Sequence, residues 1–412
     1  MPRTASRLLV AGGLAAAVAL LALPGDAPGP PATERDGTTG ATAAEPGETV
    51  SGDDATAPGD LATAPEAGRA FTLVATGDVL LHGTLVDQAR ADAAAAGLAG
   101  LDFRPLLAGV EPLVSAADLA ICHLETPIAP AGGPYAGYPA FSVPPEIAPA
   151  LADVGYDACS TASNHTYDRG AGGVDRTLDA LDAAGIRHAG SARTPSEAEA
   201  VTVVDVAGAG VALLSYTYGF NGVPPPGGQV WRSNPIDEAR ILADAGRARA
   251  AGADVVVVAL HWGDEYRSEP NAQQRALGPR LVRSADVDLV LGHHAHVVQP
   301  VEPVGGEWVV YGMGNLVAHH GTSNPANEEG LLVRFTFTEA PGGWRVTRAE
   351  YAPLLVAKSP PPVRLLDIAV ALASGRGGAT RRDRLAQAWA RTTAVVSSLG
   401  GPAHGLTPVA AP

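Results

Sequence analysis

Four of the chain's 11 histidines fall in two short stretches. One is Leu260-His261-Trp262-Gly263-Asp264-Glu265-Tyr266 and the other is Gly292-His293-His294-Ala295-His296. Imidazole and carboxylate groups are donors for divalent transition ions. Three more polar clusters have the same chemistry: Gly77-Asp78 with His82, His123-Leu124-Glu125, and Asn164-His165 with Asp168. A carboxylate set between His and Asn donors can hold two ions side by side. Such a pair activates water and stabilises an in-line displacement at phosphorus.

Each cluster follows a run of apolar residues. Ala253–Leu260 (ADVVVVAL) predicts a buried strand ending at His261, and Val287–Leu291 another ending at Gly292. Phe71–Ala75, Ala117–Cys122 and Tyr156–Ser160 lead in the same way into Asp78, His123 and Asn164. Between them the 3.6-residue period predicts helices over Thr84–Ala96, Pro145–Val154, Gly173–Ala184, Asp237–Ala251 and Gln273–Ser284. Val201–Val206 and Val211–Tyr216 read as a strand pair, and Trp308–Tyr311, Gly330–Thr338 and Trp344–Tyr351 as later antiparallel strands. Alternation of this kind predicts a layered α/β fold. In open α/β sheets, ligands sit beyond the carboxyl ends of buried parallel strands, where all five clusters fall.

The rest of the chain bounds the setting. Arg3 and Arg7 precede the apolar run Leu8–Leu23, so residues 1–27 read as a secretory signal or a retained membrane anchor. Residues 28–68 are rich in Ala, Thr, Gly, Pro and acidic side chains, lack aromatics, and read as a disordered linker. Residues 69–357 form the domain, and 358–412 a C-terminal extension with one helix, over Thr380–Leu399, and a loose tail from Gly401. A net charge of -15 excludes nucleic acid as a partner and leaves the N-terminal segment as the only contact with a membrane. An anionic substrate stays open, because bound cations invert the local sign. The two cysteines, Cys122 and Cys159, are either small core residues or a disulfide between neighbouring strands.

Seven strings in order, VATGDVLLHG, ICHLETPI, FSVPPE, STASNHTYDRG, LHWGDEYRSEPNAQQR, LVLGHHAHVVQP and VVYGMGNLV, closely resemble the bacterial capsule synthesis proteins of the CapA (poly-γ-glutamate capsule) type. The resemblance runs from about Phe71 to Val317. It implies a fold similar to calcineurin-like metallophosphoesterases: a four-layer sandwich of two mixed β-sheets flanked by helices. It also implies that Asp78 is the first metal-binding aspartate, Glu125 the bridging carboxylate and Asn164 the asparagine ligand. His165 then resembles the acid that protonates the leaving group, and His261, His294 and His296 the remaining ligands, with His293 replacing His294 if the register is shifted. The implied cofactor is a pair of divalent ions, Mn, Zn, Fe or Mg. Two departures stand out. Leu80 occupies the place of the usual histidine after Asp78, with His82 a candidate substitute, and His123 stands where CapA relatives usually have Asn.

The expected function is export to the cell envelope and action on a capsule polymer or phosphoester substrate as a metal-dependent hydrolase using an activated water. Membrane-bound polymer synthase components are expected partners. The alternative is a non-catalytic accessory factor for export or anchoring of an anionic polymer. Other residues carry blander expectations. Asp264 and Glu265 orient His261 or are solvated. Trp262 and Tyr266 wall the pocket or pack in the core, and Asp168 and Arg169 cap a helix or grip an anion. Gly312-Met313-Gly314-Asn315 reads as close backbone packing, His319 and His320 as solvated, and His188 and His404 as uninvolved.

Overall fold

Apolar runs without a polar break bury both faces of a strand. In the computed structural model, which describes residues 68–321, 323–375 and 378–410, those runs build two mixed sheets packed face to face. The first has the order β14 (Arg364–Asp367), β13 (Gly343–Ala357), β12 (Glu329–Ala340), β1 (Ala70–Val79), β2 (Leu119–Leu124), β3 (Ala158–Ser160), β4 (Arg187–Ala189). Two further strands join it, β11 (Asn315–Val317) against β1 and β15 (Leu406–Pro408) against β13. The second has the order β5 (Thr202–Val206), β6 (Ala209–Thr217), β7 (Val255–His261), β8 (Leu289–His293), β10 (Glu307–Val310), β9 (Val301–Val304). Strands β1 to β4 run parallel, as do β6, β7, β8 and β10. The remaining pairings within each ordered path are antiparallel.

Side-chain alternation along each strand then makes the layers. Val255, Val257 and Ala259 face the inter-sheet core with Phe71, Leu73, Ile121, Leu289 and Phe335. Val256, Val258 and Leu260 face outward onto α7 (Glu238–Ala250) and α8 (Ala272–Val282) through Ile241, Ala245, Leu277 and Leu281. On the far side, Val74, Ala120 and Leu354 pack on α1 (Gly83–Ala95), α2 (Arg104–Leu107), α3 (Glu111–Val114) and α4 (Ile147–Val154). Helix α5 (Gly170–Ala183) adds Leu181 to that layer, and the short α6 (Pro195–Glu199) follows β4. The expected sandwich of two mixed sheets flanked by helices is what the chain forms.

Sheet register brings the polar clusters together. Asp78 lies opposite His123, and His123 opposite Ser160, across β1, β2 and β3. Thr217 lies opposite His261, and His261 opposite His293, across β6, β7 and β8. The carboxyl edges of both sheets therefore open on one place. Two glycines allow the backbones to close beneath it. A Cβ on Gly77 would lie 2.1 Å from the Gly314 carbonyl oxygen, and one on Gly292 would lie 1.9 Å from that of Tyr311.

Several expectations change. Cys122 and Cys159 lie opposite each other on β2 and β3 and are joined as a disulfide, so the reading as two free core residues is replaced. The C-terminal extension holds two helices, α9 (Ile368–Ala373) and α10 (Gly378–Val396), rather than one. Asp367 caps α9 by accepting from the Ala369 and Val370 amides, while Arg384 and Arg391 on α10 both reach the buried Glu329. Nor is the tail loose. Leu406–Pro408 pairs parallel with β13, and Leu406 and Val409 are buried, so apolar side chains hold this segment against the domain. The signal or anchor at 1–27 and the linker, up to residue 67, lie outside the described residues. Among the described residues no helix is long and apolar enough to cross a membrane.

Gly292 offers a direct test of this close packing. Gly292→Ala is expected to cost about 3 kcal/mol, the upper end for overpacking, because its new methyl meets backbone rather than a side chain that can turn away. Urea unfolding checks this, and an unchanged midpoint would contradict it.

Candidate metal centre

Asp78, at the end of β1, is fully buried. Its Oδ1 accepts from His293 Nδ1 at 3.1 Å, and its Oδ2 accepts from the His294 backbone amide at 3.2 Å. His296 Nδ1 lies 3.2 Å from the same Oδ2 and 3.1 Å from Asn315 Oδ1. Burial pushes the Asp78 carboxyl upward, but the hydrogen bonds and charge of His293 and His296 outweigh it and hold the group well below the usual carboxylate range.

Glu125, just after β2, is the opposite case. It is fully buried, and neither carboxylate oxygen has a hydrogen-bond partner. Burial drives its pKa well above the ordinary value. Its Oε1 lies 3.9 Å from His261 Nε2 and 3.7 Å from His296 Nε2, between imidazoles of the two histidine-bearing stretches. A buried carboxylate without donors is costly. A cation would supply what the protein's own hydrogen bonds do not.

His261 anchors the other flank. Its Nε2 donates to Asn164 Oδ1 at 3.0 Å, so its Nδ1 accepts from His123 Nε2 at 2.9 Å, and His123 Nδ1 in turn faces Ser160 Oγ at 2.8 Å. This relay sets each tautomer. Burial, reinforced by neighbouring imidazoles, depresses His123 and His261 well below the normal histidine value. Burial and the charge of His296 lower His294 to about 3. A neutral imidazole can be a metal ligand, and in His123 and His261 the coordinating nitrogen would exchange its present hydrogen bond for the ion. His296 differs. Burial lowers it, but Glu125 and Asp78 prevail and raise it to about 9. The proton it holds is the one a bound cation would displace.

Among the described residues, three groups have donor atoms within 4.8 Å of one another: Asp78, His123 and His261; Asp78, Glu125 and His296; and Glu265, His294 and His296. Asn164 reaches the centre through His261. His165 stands beside these groups. Its Nδ1 donates to Asp168 Oδ2 at 2.7 Å, and the Phe141 amide donates to the same oxygen at 2.7 Å. The donor set fits divalent ions of the harder transition-metal type: carboxylate, amide and imidazole, with no thiolate.

Other expected residues fall elsewhere. His293 binds Asp78 and joins none of the three groups. His82 joins none of the three groups; its Nδ1 meets the His319 amide and the Leu80 carbonyl. Asp264 accepts from Asn271 and braces its loop instead of orienting His261. Arg169 donates to the Phe141 and Ala140 carbonyls, which leaves no anion grip, and helix α5 begins without a side-chain cap. Trp262 is core, bonded to the Tyr311 carbonyl, whereas Tyr266 lies exposed at the rim. His320 is not solvated. Its ring sits 4.5 Å from that of His296 with Nε2 buried, and burial lowers it to about 2.

Sequence reading missed Asn315, which accepts from His296 and ties it to β11, and Ser160, which ends the imidazole relay. It also missed Tyr218 and Asn221. The Tyr218 ring lies 4.5 Å from that of His294, and Asn221 Oδ1 takes both the Tyr218 hydroxyl and the Asn164 amide at 3.3 Å. All four are polar residues at strand ends or in the loops after them, which was the available signal.

The family pattern described as "Bacterial capsule synthesis protein PGA_cap" matches residues 72–320. The chain is 30% identical over 195 residues to "Capsule biosynthesis protein CapA" of Bacillus anthracis, covering 46% of each chain. It is 29% identical over 220 residues to "PGA biosynthesis protein CapA" of Bacillus subtilis, covering 52% of this chain and 55% of that one. It thus spans about half the length of these curated relatives. Among solved structures it is similar to the calcineurin-like phosphoesterase YfkN of Bacillus subtilis, with a TM-score of 0.42 and 13% identity over 79% of this chain and 96% of that chain.

The lone carboxylate of Glu125 gives a stability test in metal-free protein. Its folded pKa lies above the unfolded one, so its contribution is complete below the ordinary glutamate value and is lost as pH rises above it. With EDTA present, Glu125→Gln should match the wild type near pH 4 and become the more stable by about 1–3 kcal/mol at pH 7, since it removes an unpaired buried charge. Urea unfolding at both pH values reads this. A mutant less stable than the wild type at pH 7 would show that Glu125 is paired after all.

Proposed function

The chain belongs to the bacterial capsule synthesis protein family, and on that premise we propose that it is a metal-dependent hydrolase acting on a phosphoester or related bond in a capsule or envelope polymer of the poly-γ-glutamate type. The observation that carries this reading is Glu125, a fully buried carboxylate without a hydrogen-bond donor, set between the imidazole that ends β7 and one in the loop after β8. A purely structural site would pair that charge.

Asp78, Glu125, Asn164, His261, His294 and His296 would hold the ions, with His123 an added donor beside Asp78 and His261. When bound, divalent ions supply Lewis acidity toward water and toward the oxygens of a phosphoester. The chain's own groups do the rest. Asp168 accepts the Nδ1 hydrogen of His165, which leaves Nε2 to carry a proton to the leaving oxygen. The Phe141 amide holds Asp168 in place, and the Phe141 ring meets the His165 ring edge-on at 4.7 Å, fixing its plane. Asn221 and Tyr218 orient the Asn164 amide so that its oxygen faces inward.

The apolar segment at residues 8–23, with the basic residues before it, supports export to the envelope, with the polymer and membrane-bound synthase components as partners. One observation favours the rival reading of an accessory factor without turnover. Leu80 is buried where the first motif of phosphoesterases carries a histidine.

Protein loaded with Mn²⁺ or Zn²⁺ is expected to hydrolyse a generic phosphodiester such as bis-(p-nitrophenyl) phosphate. His165→Ala should lower kcat about 10²- to 10⁴-fold with bound metal unchanged. No turnover by the loaded protein, together with a silent His165→Ala in cells, would leave the accessory reading in its place.

A further inference from the structure

The third donor group differs from the other two in where it lies. Asp78, His123, His261, Glu125 and His296 are all buried, whereas Glu265 is exposed and approaches His294 and His296 from the solvent side. His294 is 4% exposed, its Nδ1 is buried, and that nitrogen has no hydrogen-bond partner. Its neighbours are rings: Tyr218 at 4.5 Å and His261 at 4.7 Å between centroids. An imidazole that is buried, unpaired and within 4.8 Å of a second imidazole and a carboxylate completes a donor set suited to a divalent ion.

The backbone holds this set in place. The Tyr266 amide donates to the Ala295 carbonyl at 2.7 Å, which pins the Glu265 loop onto the His294–His296 loop. Tyr266, His294 and His296 have φ of 65°, 88° and 55°, a left-handed backbone that side chains other than glycine rarely adopt. On the near side, Gly263 lies against Gln274, where a Cβ would meet the carboxamide at 2.7 Å. The Gln274 amide nitrogen is bonded in turn to Gln299. The carboxylate is therefore carried by a loop fixed at both ends.

We propose that Glu265, His294 and His296 form an outer cation position at the mouth of the centre, with Glu265 a metal ligand rather than a solvated loop carboxylate. This rests on the reading that the centre takes divalent ions. Two imidazoles and one carboxylate with an open side match a catalytic site for a divalent transition ion, since the free position faces solvent and can take a substrate oxygen. His296 donates through Nδ1 toward Asp78 and Asn315, so it has one nitrogen to give. His296 is common to the inner group with Glu125 and the outer group with Glu265, so an ion in the outer position would rest on Glu265 and His294 for its other ligands.

The test uses the full chain, stripped with EDTA and titrated with Mn²⁺ alone by calorimetry and by the Mn²⁺ EPR signal. Glu265→Gln is suitable because the side chain is exposed and its loss leaves the core intact. One class of Mn²⁺ should weaken about 10- to 100-fold in Glu265→Gln, and Glu265→Asp should recover most of that affinity. If every class in Glu265→Gln binds within about twofold of the wild type, the outer position is overturned while the metal centre stands. If the wild type itself binds no Mn²⁺ or other divalent ion, the metal reading falls first and this one with it.

Discussion

A carboxylate buried without a hydrogen bond is the constraint on which the rest of this molecule turns. Moving an ionised carboxyl group into a dry interior costs several kcal/mol unless a partner waits there. Asp78 has its partners in His293, His296 and the His294 amide, whereas Glu125 has none. In the metal-free protein the nearest compensation is the proton on His296, 3.7 Å from Glu125 Oε1. That arrangement makes sense as a charge balance awaiting a cation. It accounts at once for the neutral imidazoles and the acidic pair at the centre.

The scaffold serves this constraint. Parallel strands ending at one edge bring donors from β1, β2, β7 and β8 together although they are spread over more than 200 residues of sequence. The register that sets Asp78 beside His123 also sets Cys122 beside Cys159, so one strand pairing positions both the donors and the disulfide. Close approach beneath the centre depends on Gly77 and Gly292, which let the β1 and β8 ends meet the backbone before β11 and after β10. The second sheet is held on its outer face by α7 and α8, and the capping box of Asn271 and Gln274 ties the start of α8 to the loop that carries Glu265.

Much of this was legible in the residues. The apolar, β-branched runs before Asp78, His123, Asn164, His261 and His293 became strands or the loops that leave them, because burial on both faces requires such runs. The short strands β4, β9, β11 and β15 were not legible, since three or four residues carry no period and are set by their neighbours. Nor was the fate of individual side chains. His82 shares parity with Asp78, but the strand stops at Val79 and the backbone claims its ring. Glu265 looked like a neighbour of His261 by spacing, yet a left-handed turn at Tyr266 sends it to His294 and His296 instead. Positive φ at residues other than glycine is a tertiary outcome that local propensity does not announce.

The central claim is that the buried carboxylates exist to hold cations. Crystals of the metal-loaded protein, measured at the manganese absorption edge, test it most directly. The account predicts an anomalous peak within bonding distance of Glu125 and of His261 or His296. It would be contradicted by a site with no peak in which Glu125 is protonated or bonded to ordered water alone.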